Sequence, residues 1–435
     1  MQTLRTASPS EEELGLSYYL TQLKGIGGRI RVKPEDFEVE EITREGLVAN
    51  DSLERLSRGD GGYALAVLTK TSKDTILTAR QIGMVLGGSV SYAGIKDRRA
   101  KTHQLISISL PLEEGPLELG LPRVHVRVVG KSKWSLEPGE LRGNRFTIMI
   151  RGIRDGLPGL DEDWYPGYYG HQRFGTTRPN THRIGRFLVK KEYEAAVKEL
   201  VAEPYPNEPC PVIDARANLK ATWDIPAAIK DFPTALVYER AVLTRLLAAP
   251  GDWLGALNAL PLSMMRLYVN AYQSYLFNKA LSMRWEAFGL DSLENGDFAS
   301  PLDRWLSPAR PIKTTAGNAA MLRKMVHSGK GVPMIRVIGA RTELEGADRE
   351  IYFELLEKEG VTMQNFENVA GNQYFGTMRF SKFRPLSLCV AKPQTDEMNP
   401  GFQQQCLTMT LPKGCYATVV LREMMRSSDT FLSGF

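Results

Sequence analysis

Alternating apolar and polar residues dominate both ends of this 435-residue chain and give way in its middle. That interruption constrains the fold most, because a side-chain period of two and a period of 3.6 cannot describe the same element. In "RIRVKPEDFEVEEI" (29–42) an extended start meets a turn at Val32, Lys33 and Pro34, after which Phe37, Val39 and Glu41 alternate. "GGYALAVLTK" (61–70), "QLISISL" (104–110), "RVHVRVVG" (123–130) and "NRFTIMIRGI" (144–153) predict further strands. The serines of "QLISISL" predict that this strand buries one face only. From about residue 180 the spacing turns helical, in "RIGRFLVKKEYEAAVKELV", "PTALVYERAVLTRLLAA" and "MMRLYVNAYQSYLFNKALSMRWEAF". The last is apolar nearly all round, which predicts a buried core helix. Alternation returns between 383 and 421, in "RPLSLCVAKP" and "FQQQCLTMTLP". Strands, helices and strands in that order predict an α+β fold, a mixed and mainly antiparallel sheet domain with a helix-rich domain inserted into it.

"KDTILTARQIGMVLGG" (73–88) predicts one helix within the first strand-rich part: Asp74 caps it, Ile76, Ala79, Ile82 and Leu86 share a face, and Gly87 ends it. Between that helix and the next strand a single carboxylate, Asp97, stands among Lys96, Arg98, Arg99, Lys101 and His103. Neighbouring cations favour the charged form of a carboxyl group. An ionised, oriented carboxylate can serve as a nucleophile or a base at a sugar carbon, and the same cations attract a phosphodiester backbone. Spacing alone describes a loop aspartate in an ordinary salt bridge equally well.

The chain is too long for one core, so two domains are expected. Its 43% hydrophobic and 24% charged residues suit a globular protein that folds without metal or disulfide. No apolar run is long enough to span a membrane, and the N-terminal segment with its three consecutive glutamates lacks signal-peptide character, so a cytoplasmic protein is expected. Four cysteines without a C-x-x-C pair read as small buried hydrophobes or at most incidental thiols, and five histidines without helical pairing make a metal site unexpected. Neither "GIGG" (25–28) nor "SGKGVP" (328–333) matches a phosphate-binding loop, and no G-x-S-x-G elbow is present; no cofactor is expected. The net charge of +5 is unevenly spread. Residues 121–145 and 171–193 are strongly basic, whereas 341–367 holds eight acids to three bases. Basic segments in the first half suit a polyanionic partner.

"YAGIKDRRAKTHQ" (92–104) resembles the A-G-x-K-D-(R/K)-x-A-x-T-x-Q segment of the TruD family of tRNA pseudouridine synthases, matched at Ala93, Gly94, Lys96, Asp97, Arg98, Ala100, Thr102 and Gln104. Further segments fall in the family's order: "PEDFEVEE" (34–41), a looser "TKTSKDT" (69–75), "GNRFTIMIRG" (143–152), "GYYGHQRFGTTRPNTHRIGR" (167–186) and "LPKGCYATVVLREMMR" (411–426). The resemblance implies a pseudouridine-synthase-like catalytic domain, residues 1–166 plus 386–435, and an inserted TRUD domain, 167–385. It implies Asp97 as the nucleophile, a uridine pocket lined by Phe37, Asn144, Phe146 and Tyr416, and supporting roles for Lys96 and for Arg31, which stands where the family usually has lysine. "HQRFG" is expected to be structural support or an RNA contact.

The implied reaction turns a tRNA uridine, the one at position 13 in the D-arm, into pseudouridine without metal or nucleotide. An extruded base needs aromatic faces and edge hydrogen bonds to hold it, which these residue types supply. The basic segments would grip phosphates, the insert would form a second wall over the RNA, and its acidic stretch would face away. The partner is therefore tRNA, with no membrane, no obligatory protein partner and a monomeric state expected. Two other readings follow from the same residues: a catalytically silent tRNA-binding or folding protein on this scaffold, and a carboxylate-based glycosidase, which requires a second carboxylate flanking the bond.

Overall fold

Strands form where side chains alternate, and they join into one 11-stranded sheet. The structure is a computed structural model that describes residues 4–157 and 163–435. Across the sheet the strands run Ser387–Val390, Gln403–Pro412, Leu141–Ile153, Phe37–Thr43, Lys101–Ile108, Tyr63–Thr71, Val124–Ser132 and Gly115–Leu117, with short strands added at its sides. Every pairing along this order is antiparallel except that of Phe37–Thr43 with Lys101–Ile108. The mixed, mainly antiparallel sheet expected from the sequence is therefore present, and its centre is shared by segments from both ends of the chain. Phe146, for example, lies opposite Val39 on one side and Met409 on the other.

The inserted stretch begins where Tyr165–Pro166 pairs with Lys382–Phe383, so the chain leaves and re-enters the sheet unit at one place. Its helices gather around Leu262–Phe288, the buried core helix, while Phe298–Pro301, Gly331–Val337 and Thr377–Phe380 build a second, four-stranded sheet together with Ile312–Lys313. One apolar cluster crosses the junction. It contains Phe146 and Met409 of the large sheet, Phe277 and Trp285 of the long helix, and Val419 and Met424 of the C-terminal helix Ala417–Met425. A second contact joins the units elsewhere: the tight turn Asp303–Ser307 lays Trp305 so closely on Gly46 that a Cβ there would stand 2.6 Å from the indole.

Four expectations need correction. The Lys101–Ile108 strand buries both faces: Leu105 joins a core with Leu53, Val67 and Leu136, and Ser107 accepts a hydrogen bond from the Leu136 amide. The segment 183–201 is two helices, Thr181–Val189 and Tyr193–Val201, because Lys191 takes a left-handed conformation at φ 60° between them. The helix Thr75–Leu86 is capped by Asp74 and ended by left-handed Gly87 as expected, yet it buries Thr75, Thr78, Ala79 and Ile82 and leaves Ile76 exposed. Cys210 and Cys389 are exposed rather than buried, and all four cysteines are free thiols.

Candidate active site

The loop that carries Asp97 follows the short strand Val90–Tyr92 and is held at Gly94, Lys96 and Asp97 by side chains of the regular elements beneath it. Gln104 Nε2 donates to the Gly94 carbonyl at 3.2 Å. The Thr75 hydroxyl, at the start of its helix, accepts from the Lys96 amide at 3.1 Å and donates to the Lys96 carbonyl at 3.3 Å. Lys70, at the end of the Tyr63–Thr71 strand, donates to the Asp97 carbonyl at 3.2 Å. Thus the backbone of residues 94–97 is fixed by groups with few rotamers left to them.

The Asp97 carboxylate itself is 22% exposed and receives no hydrogen bond among the described residues; its nearest cation is Arg31, with Nη2 at 3.8 Å from Oδ2. Arg31 is buried, takes a left-handed conformation at φ 57° and donates from Nη1 to the Gly434 carbonyl at 2.6 Å. Its guanidinium lies 3.8 Å over the ring of Phe37, and Phe37 meets Phe146 edge-on at 6.1 Å. Both rings are also core residues, packed between the central strands. One chain of contacts therefore joins Asp97, Arg31, Phe37 and Phe146.

Lys96 points inward. Its ammonium pairs with the buried Glu41 at 2.6 Å and donates to Asn144 Oδ1 at 2.9 Å, so its charge is matched and the Asn144 amide is oriented. The Asn144 NH2 group finds no protein partner among the described residues, which leaves it able to donate to a carbonyl of a planar base.

Tyr416 is the residue that starts the C-terminal helix. Burial raises the phenol pKa, and the negative charge of Asp97 adds to the rise while Arg173 and Arg379 oppose it. Arg379 is an insert residue that the sequence did not single out. It donates to the carbonyls of Gly167 and Tyr168 at 2.6 and 3.1 Å and stacks 4.1 Å over Tyr169, whose ring meets Tyr416 edge-on at 6.1 Å. An arginine alternating with apolar neighbours in "TMRF" was its only trace in the sequence. Lys70 left a similar trace, a cation closing an otherwise apolar strand.

The basic segments are less available than their composition suggested. In 171–193, Arg178 pairs with Glu208 and Glu239, Arg183 with Glu13, Arg186 with Glu359 and Lys190 with Glu192. In 121–145, Arg127 donates to the carbonyls of Asn50, Asp51 and Leu53, and Arg145 pairs with Glu40, while Arg123, Lys131 and Lys133 are exposed. Part of the acidic stretch is internal too: Asp348 is buried against Arg284 and Arg336. Within "HQRFG", His171 and Phe174 are buried, and Arg173 Nε donates to the Ser274 hydroxyl at 3.1 Å.

The family model for TruD, tRNA pseudouridine synthase D, matches residues 13–424. The chain belongs to the TruD family. Relatives named "Probable tRNA pseudouridine synthase D" include one from Methanosarcina acetivorans, 33% identical with 96% of each chain covered. Another, from Archaeoglobus fulgidus, is 32% identical with 96% of this chain and 99% of that one covered. The crystal structure of the TruD from Methanosarcina mazei superposes with a TM-score of 0.72 at 31% identity, covering 97% of this chain and 99% of that one. The match to that structure covers both the sheet-rich and the helix-rich parts of the chain.

Proposed function

We propose that this TruD-family chain isomerises a uridine of tRNA to pseudouridine and that Asp97 performs the chemistry. The observation that carries the proposal is the juxtaposition of a partly exposed carboxylate, free of hydrogen bonds among the described residues, with a buried guanidinium 3.8 Å away. Phe37 lies against that guanidinium with Phe146 edge-on to it, and Lys96, the residue before Asp97, orients the Asn144 amide. The N1–C1′ bond breaks, the uracil turns, C5 bonds to C1′, and the proton lost from C5 is balanced by one gained at N1. Three routes are open to the carboxylate: attack at the ribose, attack at the base, or removal of the C2′ proton. In each, Arg31 stabilises the ionised Asp97, Asn144 donates to a uracil carbonyl, and Phe146 with Tyr416 flanks the base.

On this reading residues 1–166 plus 386–435 hold the chemistry and 167–385 form the opposite wall, with the position-13 uridine of the D-arm as the target. A glycosidase would need a second carboxylate free to act. Glu41, the other carboxylate tied to the site, is closed off by Lys96. The test is pseudouridine mapping of tRNA incubated with the purified protein and no added cofactor. Wild type introduces pseudouridine and Asp97→Asn introduces none while binding tRNA within a few-fold; an active Asp97→Asn protein refutes the assignment.

A further inference from the structure

Lys70 is wholly enclosed at the end of its strand. A buried ammonium is costly unless its protons are accepted, and a methionine or leucine there would cost less. Among the described residues no carboxylate lies within ion-pair distance of it; instead Nζ donates to two peptide oxygens, Lys73 at 2.9 Å and Asp97 at 3.2 Å. The side chain thereby ties the segment before the Thr75–Leu86 helix to the peptide of the proposed catalytic residue. Among the described residues nothing hydrogen-bonds the Asp97 carboxylate, so its aim is inherited from its backbone and from the Arg31 charge.

We infer that Lys70 is a positioning residue for Asp97: its ammonium clamps the peptide oxygen of residue 97 and so aims the carboxylate at the reacting carbon. This rests on the reading of Asp97 as the reacting group. The charged groups that face Lys70 are Asp97, Asp74 and Lys96, and Thr102 and Val124 flank it on the neighbouring strands. Burial pushes its pKa down to about 8, with Asp97 and Asp74 opposing and Lys96 assisting the fall. As pH rises through that value the clamp loses its charge-assisted bonds, which are the stronger kind.

The experiment compares wild type, Lys70→Met and Asp97→Asn as full chains, each with a tRNA transcript, reading single-turnover rate, tRNA Kd and thermal stability between pH 6 and 9.5. Lys70→Met should fold, bind tRNA within about twofold and turn over about 100-fold more slowly, the order expected of a misplacement of about 1 Å. The wild-type rate should fall as pH rises through about 8, and the methionine variant should lack that fall. A Lys70→Met rate within about threefold of wild type overturns the inference. So does a loss of rate matched by an equal loss of tRNA affinity. If Lys70→Met does not fold, Lys70→Leu takes its place, and a rate for it within about threefold of wild type overturns the inference instead. An active Asp97→Asn protein removes the underlying reading, whereas an inactive one beside an unimpaired Lys70→Met removes only the positioning role.

Discussion

Arg31 and Asp97, brought together from opposite sides of a strand pairing, stand 3.8 Å apart with the arginine buried and the aspartate open to solvent on one side. Burial lowers the Arg31 pKa, and the neighbouring Asp97 opposes that fall. At an effective dielectric of ~20, opposite charges about 4 Å apart attract by up to about 4 kcal/mol before desolvation is counted. Arg31→Met should therefore slow single turnover by about 100-fold. Arg31→Lys, which keeps the charge but loses the bond to the Gly434 carbonyl, should be slowed less. Quench-flow measurement with one tRNA transcript checks both; equal rates for the two variants would show that charge is not what Arg31 supplies.

Arg379 couples the insert to Tyr416 through Tyr169. Lysine keeps its charge but cannot donate to two carbonyls while stacking on a ring. Arg379→Lys should lower stability by about 2 kcal/mol in urea unfolding. A double-mutant cycle with Tyr169→Leu should return a coupling of about 1 kcal/mol, the cation–π share. Additive variants would mean that the ring and the guanidinium are merely adjacent.

The seat of Trp305 on Gly46 predicts a dependence between two distant loops. Gly46 has φ 88°, and an alanine Cβ would stand 2.6 Å from the indole, so Gly46→Ala carries both backbone strain and a clash. It should destabilise the protein by about 1–3 kcal/mol. In a Trp305→Ala background the clash disappears and only the strain remains, so the combined loss should be smaller than the sum of the single losses. Denaturant midpoints of the four proteins decide it, with simple additivity as the contrary result.

His182 predicts acid sensitivity. It is stacked on Tyr275 at 5.0 Å, and burial, helped by Arg183 and Lys279, pushes its pKa from 6.5 down to about 3. His171 is pushed down to about 4 by burial as well. Below pH 6.5 the unfolded chain binds protons that these buried rings refuse, so stability declines as pH falls from 6.5 through 4. His182→Phe should keep the stack and lose part of that decline, His171 supplying the rest. Melting temperatures between pH 7 and 4 test this, and parallel curves for the two proteins would contradict it.

Much of the scaffold was readable one segment at a time. Phe37, Val39, Phe146, Ile148 and Ile150 alternate into the core, and Asp74 and Gly87 bound their helix, because strand periodicity and capping are settled by a few adjacent residues. Readings that failed involved covering elements from elsewhere. The serine face of Lys101–Ile108 is buried because Leu53 and Leu136 lie over it, and Ile76 is exposed because the helix turns Ala79 and Ile82 inward, Ile82 joining the core of Ile106 and Val126.

For the site, the chain order placed Asp97 in a loop after a helix, and the resemblance to the TruD family offered Phe37, Asn144, Phe146, Tyr416, Arg31 and Lys96 as its company. It could not say that Lys96 turns inward to Glu41, that Lys70 reaches the peptide of residue 97, or that an arginine of the insert props Tyr416. Local propensity is written in neighbouring residues and survives in any fold. The partner of a buried charge is chosen only when strands from distant parts of the chain close around it and water is no longer there to accept its protons.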